Sequence, residues 1–162
     1  MRTNNGKIRN IIISVYFILI VAAIISSTVF SAFQNLTGSP KLTFFFLLFG
    51  FIGLFLLVHW ISRYFEYDSD GMKVVIVNKG LLLSDYLNYR EHKVEFEKKE
   101  LIAYKFRNYV VYKSLVLYLK SRNGGSKKVS FNVTLVDRRK RKYIRQSLRK
   151  MVKANQANET KL

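Results

Sequence analysis

A dense run of basic residues near the C-terminus is the part of this sequence with the clearest binding chemistry. From Arg138 to Lys153, nine of the sixteen residues are Lys or Arg and none is acidic. The nine are Arg138, Arg139, Lys140, Arg141, Lys142, Arg145, Arg149, Lys150 and Lys153. Runs of like charge usually form solvated surfaces, but this density exceeds what solubility requires. It predicts a surface that binds a negatively charged partner.

Anionic lipid headgroups, an acidic protein and nucleic acid are the partners that such a run could bind. Lipid is favoured because two apolar segments would hold the basic residues beside a bilayer, where each contributes roughly 1 kcal/mol of attraction. An acidic protein partner comes second. Nucleic acid is disfavoured, since no recognition motif or aromatic stacking platform is evident. A purely solubilising role also stays open.

Catalytic chemistry has little support in the sequence. There is no phosphate-binding glycine loop, HExxH pair, nucleophile elbow or kinase-like motif set, and there is no cysteine. The two histidines are far apart, with His59 interpreted as an interfacial polar residue and His92 as a solvated residue in a charged turn. Asp68 and Asp70 are interpreted as turn formers. We therefore predict a protein that is not an enzyme, with no catalytic residue, bound metal or cofactor.

Two long apolar segments precede the basic region. Residues 11–33 and 42–62 contain no Asp, Glu, Lys or Arg, and at about 1.5 Å per residue each reaches about 30 Å, the thickness of a hydrocarbon core. Residues 34–41 contain Gly and Pro and are typical of a turn, which predicts an antiparallel transmembrane hairpin. A cleaved signal peptide is the alternative for the first segment, although its apolar stretch is long and a second span follows directly.

The distribution of basic residues around the two spans predicts their orientation. Arg2, Lys7 and Arg9 precede the first span, Lys41 is alone in the loop, and Arg63 begins a basic tail. Cytoplasmic flanks carry the excess of Lys and Arg. This predicts a multi-pass protein of the inner cell membrane with both termini in the cytoplasm.

Three residues at the end of the second span are typical of a membrane interface. Trp60 and Tyr64 fit the aromatic belt at headgroup level, and the side chain of Arg63 can extend toward phosphates. We predict that all three lie at the membrane surface.

Beyond the spans the hydrophobic period changes to that of β-strands. In residues 114–120, Leu115, Leu117 and Leu119 alternate with other residues, which predicts one core-facing side. The Asp-Gly end of residues 68–71 indicates a hairpin turn. The predicted strands are residues 64–67, 72–78, 93–97, 101–106, 114–120 and 127–133. Together they predict an antiparallel meander of six or seven strands.

A final helix follows the meander. Ile144, Leu148 and Met151 recur at helical spacing, which predicts a helix over about 135–154 with one apolar stripe. Thr134 and Asp137 have the spacing of a capping-box variant at its start. Residues 155–162 lack an apolar pattern and are predicted to be a disordered tail.

Three stretches, Tyr64-Phe-Glu-Tyr-Asp-Ser-Asp-Gly-Met-Lys-Val-Val, Lys99-Glu-Leu-Ile-Ala-Tyr and the terminal helix, resemble bacterial pleckstrin-homology-like (PH-like) small membrane proteins. The resemblance covers residues 64–154. It implies an α+β fold in which the helix plugs one end of a bent antiparallel barrel. It also implies a scaffolding or lipid-facing role without catalytic residues. The basic charge of the helix departs from the pattern, because plugging a barrel does not require it.

The sequence thus divides into a cytoplasmic flank (1–10), a helical hairpin (11–62), a PH-like domain (63–154) and a tail (155–162). The predicted function is that of a non-enzymatic, membrane-anchored scaffold or a subunit of a membrane complex. Its basic helix would face anionic lipid or an acidic partner. The alternative is a membrane-tethered binder of nucleic acid or another polyanion.

Overall fold

The structure is a computed structural model that describes residues 1–29, 39–81, 91–121 and 125–159. The chain forms two compact units. The helical unit comprises residues 7–60, and the folded unit comprises residues 1–6 together with residues from Ile61 onward. The described elements are α-helices and antiparallel strands, which confirms an α+β architecture.

The helical unit contains two long apolar helices, α1 (Ile8–Thr28) and α2 (Pro40–Ile61). The last residue of α2, Ile61, already belongs to the folded unit. Both are long and apolar enough to cross a membrane. Only 11% of the most apolar stretch of α1 and none of that of α2 is buried, unlike the core helix of a soluble protein. Each helix begins slightly earlier than predicted, and α2 starts at Pro40, a residue favoured in the first helical turn. Most of the predicted turn, residues 34–38, lies outside the described residues.

The folded unit contains seven strands in two antiparallel sheets. The strands are β1 (Arg2–Asn4), β2 (Arg63–Asp68), β3 (Lys73–Gly80), β4 (His92–Glu97), β5 (Leu101–Asn108), β6 (Lys113–Lys120) and β7 (Ser126–Asn132). One sheet has the order β1-β2-β3-β4 and the other the order β5-β6-β7. Within the described residues the strands do not close into the predicted barrel. A 3₁₀ turn, Lys98–Glu100, lies between β4 and β5 and carries the chain from one sheet to the other.

Strand β1 was not predicted, because three polar residues before an apolar span carry no strand pattern. It pairs with β2 in the register Arg2↔Asp68 to Asn4↔Glu66. Asn5 extends this pairing with its buried side chain, whose Oδ1 accepts a hydrogen bond from Phe65 N (2.8 Å) and whose Nδ2 donates to Arg63 O (2.9 Å). The residues before α1 are therefore part of the same sheet as those after α2.

Helix α3 (Arg138–Glu159) packs its apolar stripe against the sheets, as predicted. Ile144 and Leu148 are fully buried, and so are Leu115 and Leu117 of β6, with Leu119 nearly so. The helix begins later and ends later than predicted. Residues 155–159 are helical rather than disordered, and residues 160–162 lie outside the described part of the chain.

The predicted capping role of Thr134 is wrong. Its hydroxyl accepts a hydrogen bond from Lys113 N (2.9 Å) and is also 3.3 Å from Lys113 O, so it is bonded to the first residue of β6. Asp137 is the residue before α3, and its carbonyl accepts a hydrogen bond from Arg141 N (2.9 Å). Thr134 thus fixes the start of the helix beside β6 instead of capping it.

Candidate functional site

The end of the folded unit that carries Ile61 and Arg63 is called here the junction end, because α2 runs directly into β2 there. Only Ser62 separates the two elements. Asn132, the last residue of β7, donates from Nδ2 to Ile61 O (3.4 Å). Since Asn132 pairs with Ser114 at the start of β6, the start of β6 and the turn before it also lie at the junction end.

Helix α3 starts at the junction end and runs away from it. Just before the helix, the Thr134 hydroxyl accepts a hydrogen bond from Lys113 N, at the junction end. In the first turn of the helix, Lys140 Nζ donates to Asn4 O (2.7 Å). Toward its C-terminus, Asn155 Nδ2 donates to the carbonyls of Lys98 and Leu101, which lie at the opposite end of the strands. At about 1.5 Å per residue, Arg138 and Lys153 are separated by roughly 22 Å along the helix axis.

A wide groove of about 1090 Å³ lies between the first turns of α3 and the β5–β6 hairpin. Six of its nine lining residues are basic and one is acidic. The lining residues are Phe106, Asn108, Lys113, Asp137, Arg138, Arg139, Arg141, Lys142 and Arg145. We refer to it as the basic groove. Its charge and its width suit phosphate-bearing or carboxylate-bearing ligands better than apolar ones.

The electrostatics of the basic groove are unusual for a helix start. Helix N-termini carry a partial positive charge that favours acidic residues, yet the first turn of α3 contains no acidic residue. The pKa of Arg141 is lowered, first because it is partly buried and then because Arg138 and Arg145 are close to it; Asp137 opposes the shift. This mutual repulsion among like charges would be relieved by a bound anion.

One aromatic ring orients a basic side chain in the groove. The guanidinium of Arg145 lies over the ring of Phe106, 5.0 Å from its centroid, an arrangement with cation–π attraction. The contact holds the guanidinium, with its N–H donors, beside the groove that Phe106 and Arg145 both line. Arg145 is exposed, so those donors can reach a ligand at the surface.

The structure separates the nine predicted basic residues into two groups. Arg138, Arg139, Arg141, Lys142 and Arg145 line the groove, with Lys140 beside them at the junction end. Arg149, Lys150 and Lys153 are exposed on the later turns of α3, outside the groove. The sequence did not predict this division, nor the participation of Lys113, Phe106 and Asn108, because it depends on which strand ends meet α3.

The three residues predicted to lie at a membrane interface follow one another closely in the chain, at the end of α2 and the start of β2. Trp60 is exposed near the end of α2, and Arg63 is the first residue of β2. Tyr64 is half-buried and donates from its hydroxyl to Glu66 Oε2 (2.9 Å), while Lys79 Nζ lies over its ring. Burial, and then the hydrogen bond to Glu66, raise the pKa of Tyr64 to about 12.

The remaining candidate residues have structural partners. His92 lies in β4 rather than in a turn, and its exposed ring stacks on Phe131 with centroids 5.2 Å apart. His59 Nδ1 is 3.5 Å from the Tyr16 hydroxyl within the helical unit. Asp68 Oδ1 accepts a hydrogen bond from Asp70 N, as a turn former does. Among the residues that the structure describes, no group of three or more acidic or histidine side chains could hold a metal ion.

Comparison with known proteins gives no relative for this chain. No family model, no curated protein and no solved structure matches it.

Proposed function

We propose that this protein is a non-enzymatic, PH-like membrane scaffold whose basic groove docks on anionic lipid headgroups. In this proposal α1 and α2 span the inner membrane as a hairpin, and the folded unit lies on the cytoplasmic side. The observation that carries it is the position of the groove at the junction end, where one residue separates α2 from β2. In this proposal the one-residue link keeps the groove end of the folded unit close to the leaflet in which the hairpin is anchored.

The pairing of β1 with β2 supports the hairpin. The chain leaves the folded unit after Gly6, forms α1 and α2, and re-enters the same unit at Ile61. If both helices span the bilayer, both ends of the pair must lie on one side of it. Removal of the first helix as a signal peptide would remove β1 as well, and with it the hydrogen bonds of Asn5 to β2. The excess of Lys and Arg in the flanks supports the cytoplasm as that side.

The distance of each basic residue from the junction end decides how strongly it should attract lipid headgroups. The attraction between a cation and an anionic leaflet falls off within a Debye length, about 8–10 Å at physiological salt. The later basic residues of α3 lie roughly 10–20 Å further along the helix than its first turn. Headgroup binding should therefore depend on Arg138, Arg139 and Lys142, and much less on Arg149, Lys150 and Lys153.

A fluorescence titration of the full chain in nanodiscs tests this proposal. The chain has no cysteine, so Gln146→Cys provides a single labelling site on an exposed position of α3 next to Arg145. An environment-sensitive dye at this position should respond as the anionic lipid fraction is raised. The response should weaken as salt rises from roughly 0.1 to 0.5 M, because screening shortens the range of the attraction.

Two triple variants provide a matched comparison in the Gln146→Cys background. The first variant, Arg138→Gln, Arg139→Gln and Lys142→Gln, removes three charges at the junction end. The second, Arg149→Gln, Lys150→Gln and Lys153→Gln, removes three charges further along α3. We expect the first variant to lose most of the lipid response and the second to retain most of it. Equal losses would contradict a docking site at the groove. An equal response to neutral and anionic nanodiscs would contradict lipid docking and favour an acidic protein or nucleic acid as the partner.

A further inference from the structure

The turn between β5 and β6 exposes a cluster of apolar and aromatic side chains. Val110 is fully exposed, and Tyr109 and Val111 are 55% and 52% exposed. Tyr112 completes a Tyr-Val-Val-Tyr sequence, with the two tyrosine rings 6.4 Å apart. Single exposed apolar residues are common on soluble surfaces, but a contiguous set at a hairpin tip usually marks a contact site.

Hydrogen bonds close both the turn and its base. Tyr109 N donates to Tyr112 O (2.8 Å), which closes the hairpin directly after β5 and before β6. The base of the turn is fixed as well, because Val133 N donates to Lys113 O (2.9 Å) and Thr134 binds the same residue. The apolar tip is thus presented by a hydrogen-bonded turn, and preorganisation of this kind lowers the entropic cost of binding.

The turn adjoins the basic groove at the junction end. Asn108 and Lys113, the residues that flank the tip, both line the groove with Arg138 and Lys142. A cluster of apolar and tyrosine side chains bordered by cations matches the composition of a membrane interface. There, Tyr rings lie at headgroup level, apolar groups enter the acyl boundary and cations bind phosphate.

We propose that the Tyr109–Tyr112 turn is a membrane-inserting wedge. Val110 and Val111 enter the acyl boundary of the leaflet, the tyrosines lie at headgroup level, and the adjacent basic groove binds the phosphates of anionic lipids. This inference deepens the proposed function, on which it rests. It names the lipid surface as the occupant of the turn.

Depth-dependent quenching of the full chain in anionic nanodiscs tests the wedge. Val110→Cys carries a fluorophore at the tip, and Met72→Cys carries it at the β2–β3 turn. Met72 is a suitable control because it is 91% exposed and lies at the opposite end of the strands from Arg63. Lipids with a quencher on the acyl chain should quench the Val110 position several-fold more strongly than the Met72 position. Aqueous iodide should show the reverse order.

The outcomes separate the wedge from lipid docking by the groove. Equal lipid quenching at the two positions would overturn the wedge, even if the Gln146 reporter still responded to anionic lipid. A second variant, Val111→Asp in the Val110→Cys background, should reduce lipid quenching at the tip several-fold, because a carboxylate opposes insertion. Unchanged quenching in this variant would also overturn the proposal.

Discussion

The side chain of Asn78 in β3 joins the two sheets through the backbone of Asn132 in β7. Asn78 Nδ2 donates to Asn132 O (3.0 Å), and Asn132 N donates to Asn78 Oδ1 (3.3 Å). Both residues are buried, and Asn78 Nδ2 also donates to Tyr64 O (3.1 Å). Strands β3 and β7 belong to different sheets and are not paired with each other. The side-chain amide of Asn78 therefore takes the place of a neighbouring strand for the backbone of Asn132, and it links the two sheets at the junction end.

The first prediction follows from this bridge. Asn78→Ala leaves a buried N–H and a buried carbonyl of Asn132 without their partner, so it should lower the free energy of unfolding by about 1–3 kcal/mol. Asn158→Ala, at an exposed position of α3, should change it by less than about 0.5 kcal/mol. Denaturant unfolding of the detergent-solubilised chain measures both. Similar midpoints for the two variants would contradict the bridge.

The second prediction concerns the core face of β6. Leu117 is fully buried between the sheets and α3, so Leu117→Ala should cost about 2–5 kcal/mol in unfolding free energy. Met72→Ala, at an exposed turn position, should cost much less. The same unfolding measurement applies. If Leu117→Ala lowers the free energy of unfolding no more than Met72→Ala does, the core face is assigned incorrectly.

Patterns in the sequence predicted the elements that are determined by residues close together in the chain. Alternation placed Leu117 in the core, the Asp-Gly pair placed the β2–β3 turn, and helical spacing placed Ile144 and Leu148 on the buried side of α3. Strand β1 was missed because its stability comes from pairing with β2 and not from its own residues. The barrel implied by the resemblance does not close among the described strands, because the turn after β4 carries the chain into a second sheet, and a meander pattern does not encode this change.

The composition of the basic groove could not be predicted either. The basic run of α3 was visible in the sequence, but the location of the groove depends on contacts between residues far apart in the chain. Asn132 and Ile61, separated by 71 positions, set the junction end, and Thr134 with Lys113 places the start of α3 there. Such contacts leave no periodic pattern. The capping interpretation of Thr134 failed for the same reason, because a strand provided a better partner than the helix.

The third prediction is a pH dependence at Tyr64. Burial and the hydrogen bond to Glu66 raise the pKa of Tyr64 to about 12, above the ordinary value of about 10. The folded state therefore favours the neutral phenol. This contribution to stability is full below about pH 10 and is lost as the pH rises toward the folded pKa.

Ultraviolet titration of tyrosinate checks this shift. The difference between the wild type and Tyr64→Phe should contain one group with a pKa of about 12, and Glu66→Gln should lower this pKa. Tyr64→Phe should also reduce the fall in stability between about pH 10 and pH 12. A difference curve centred at the ordinary value of about 10 would contradict the assigned environment.

The fourth prediction concerns topology. The flanks contain an excess of Lys and Arg over the loop, which has only Lys41, so a reporter fused after Leu162 should be cytoplasmic and one fused at Gly38 should be exterior. Paired enzymatic reporters that are active on opposite sides of the membrane measure this. The reverse pattern would refute the orientation, and equal cytoplasmic signals at both positions would refute the hairpin.

Photocrosslinking of the full chain to lipid tests the central claim most directly. A crosslinker is attached to Tyr143→Cys, an exposed position between Lys142 and Arg145 in the first two turns of α3, or to Ala154→Cys, an exposed position further along α3. Both chains are reconstituted in bilayers of mixed neutral and anionic lipid, and the lipid adducts are identified by mass spectrometry. We predict that position 143 captures anionic lipid well above its mole fraction and that position 154 captures little lipid of either kind. Equal capture at the two positions, or adducts at position 143 that merely follow the bulk lipid composition, would contradict the account.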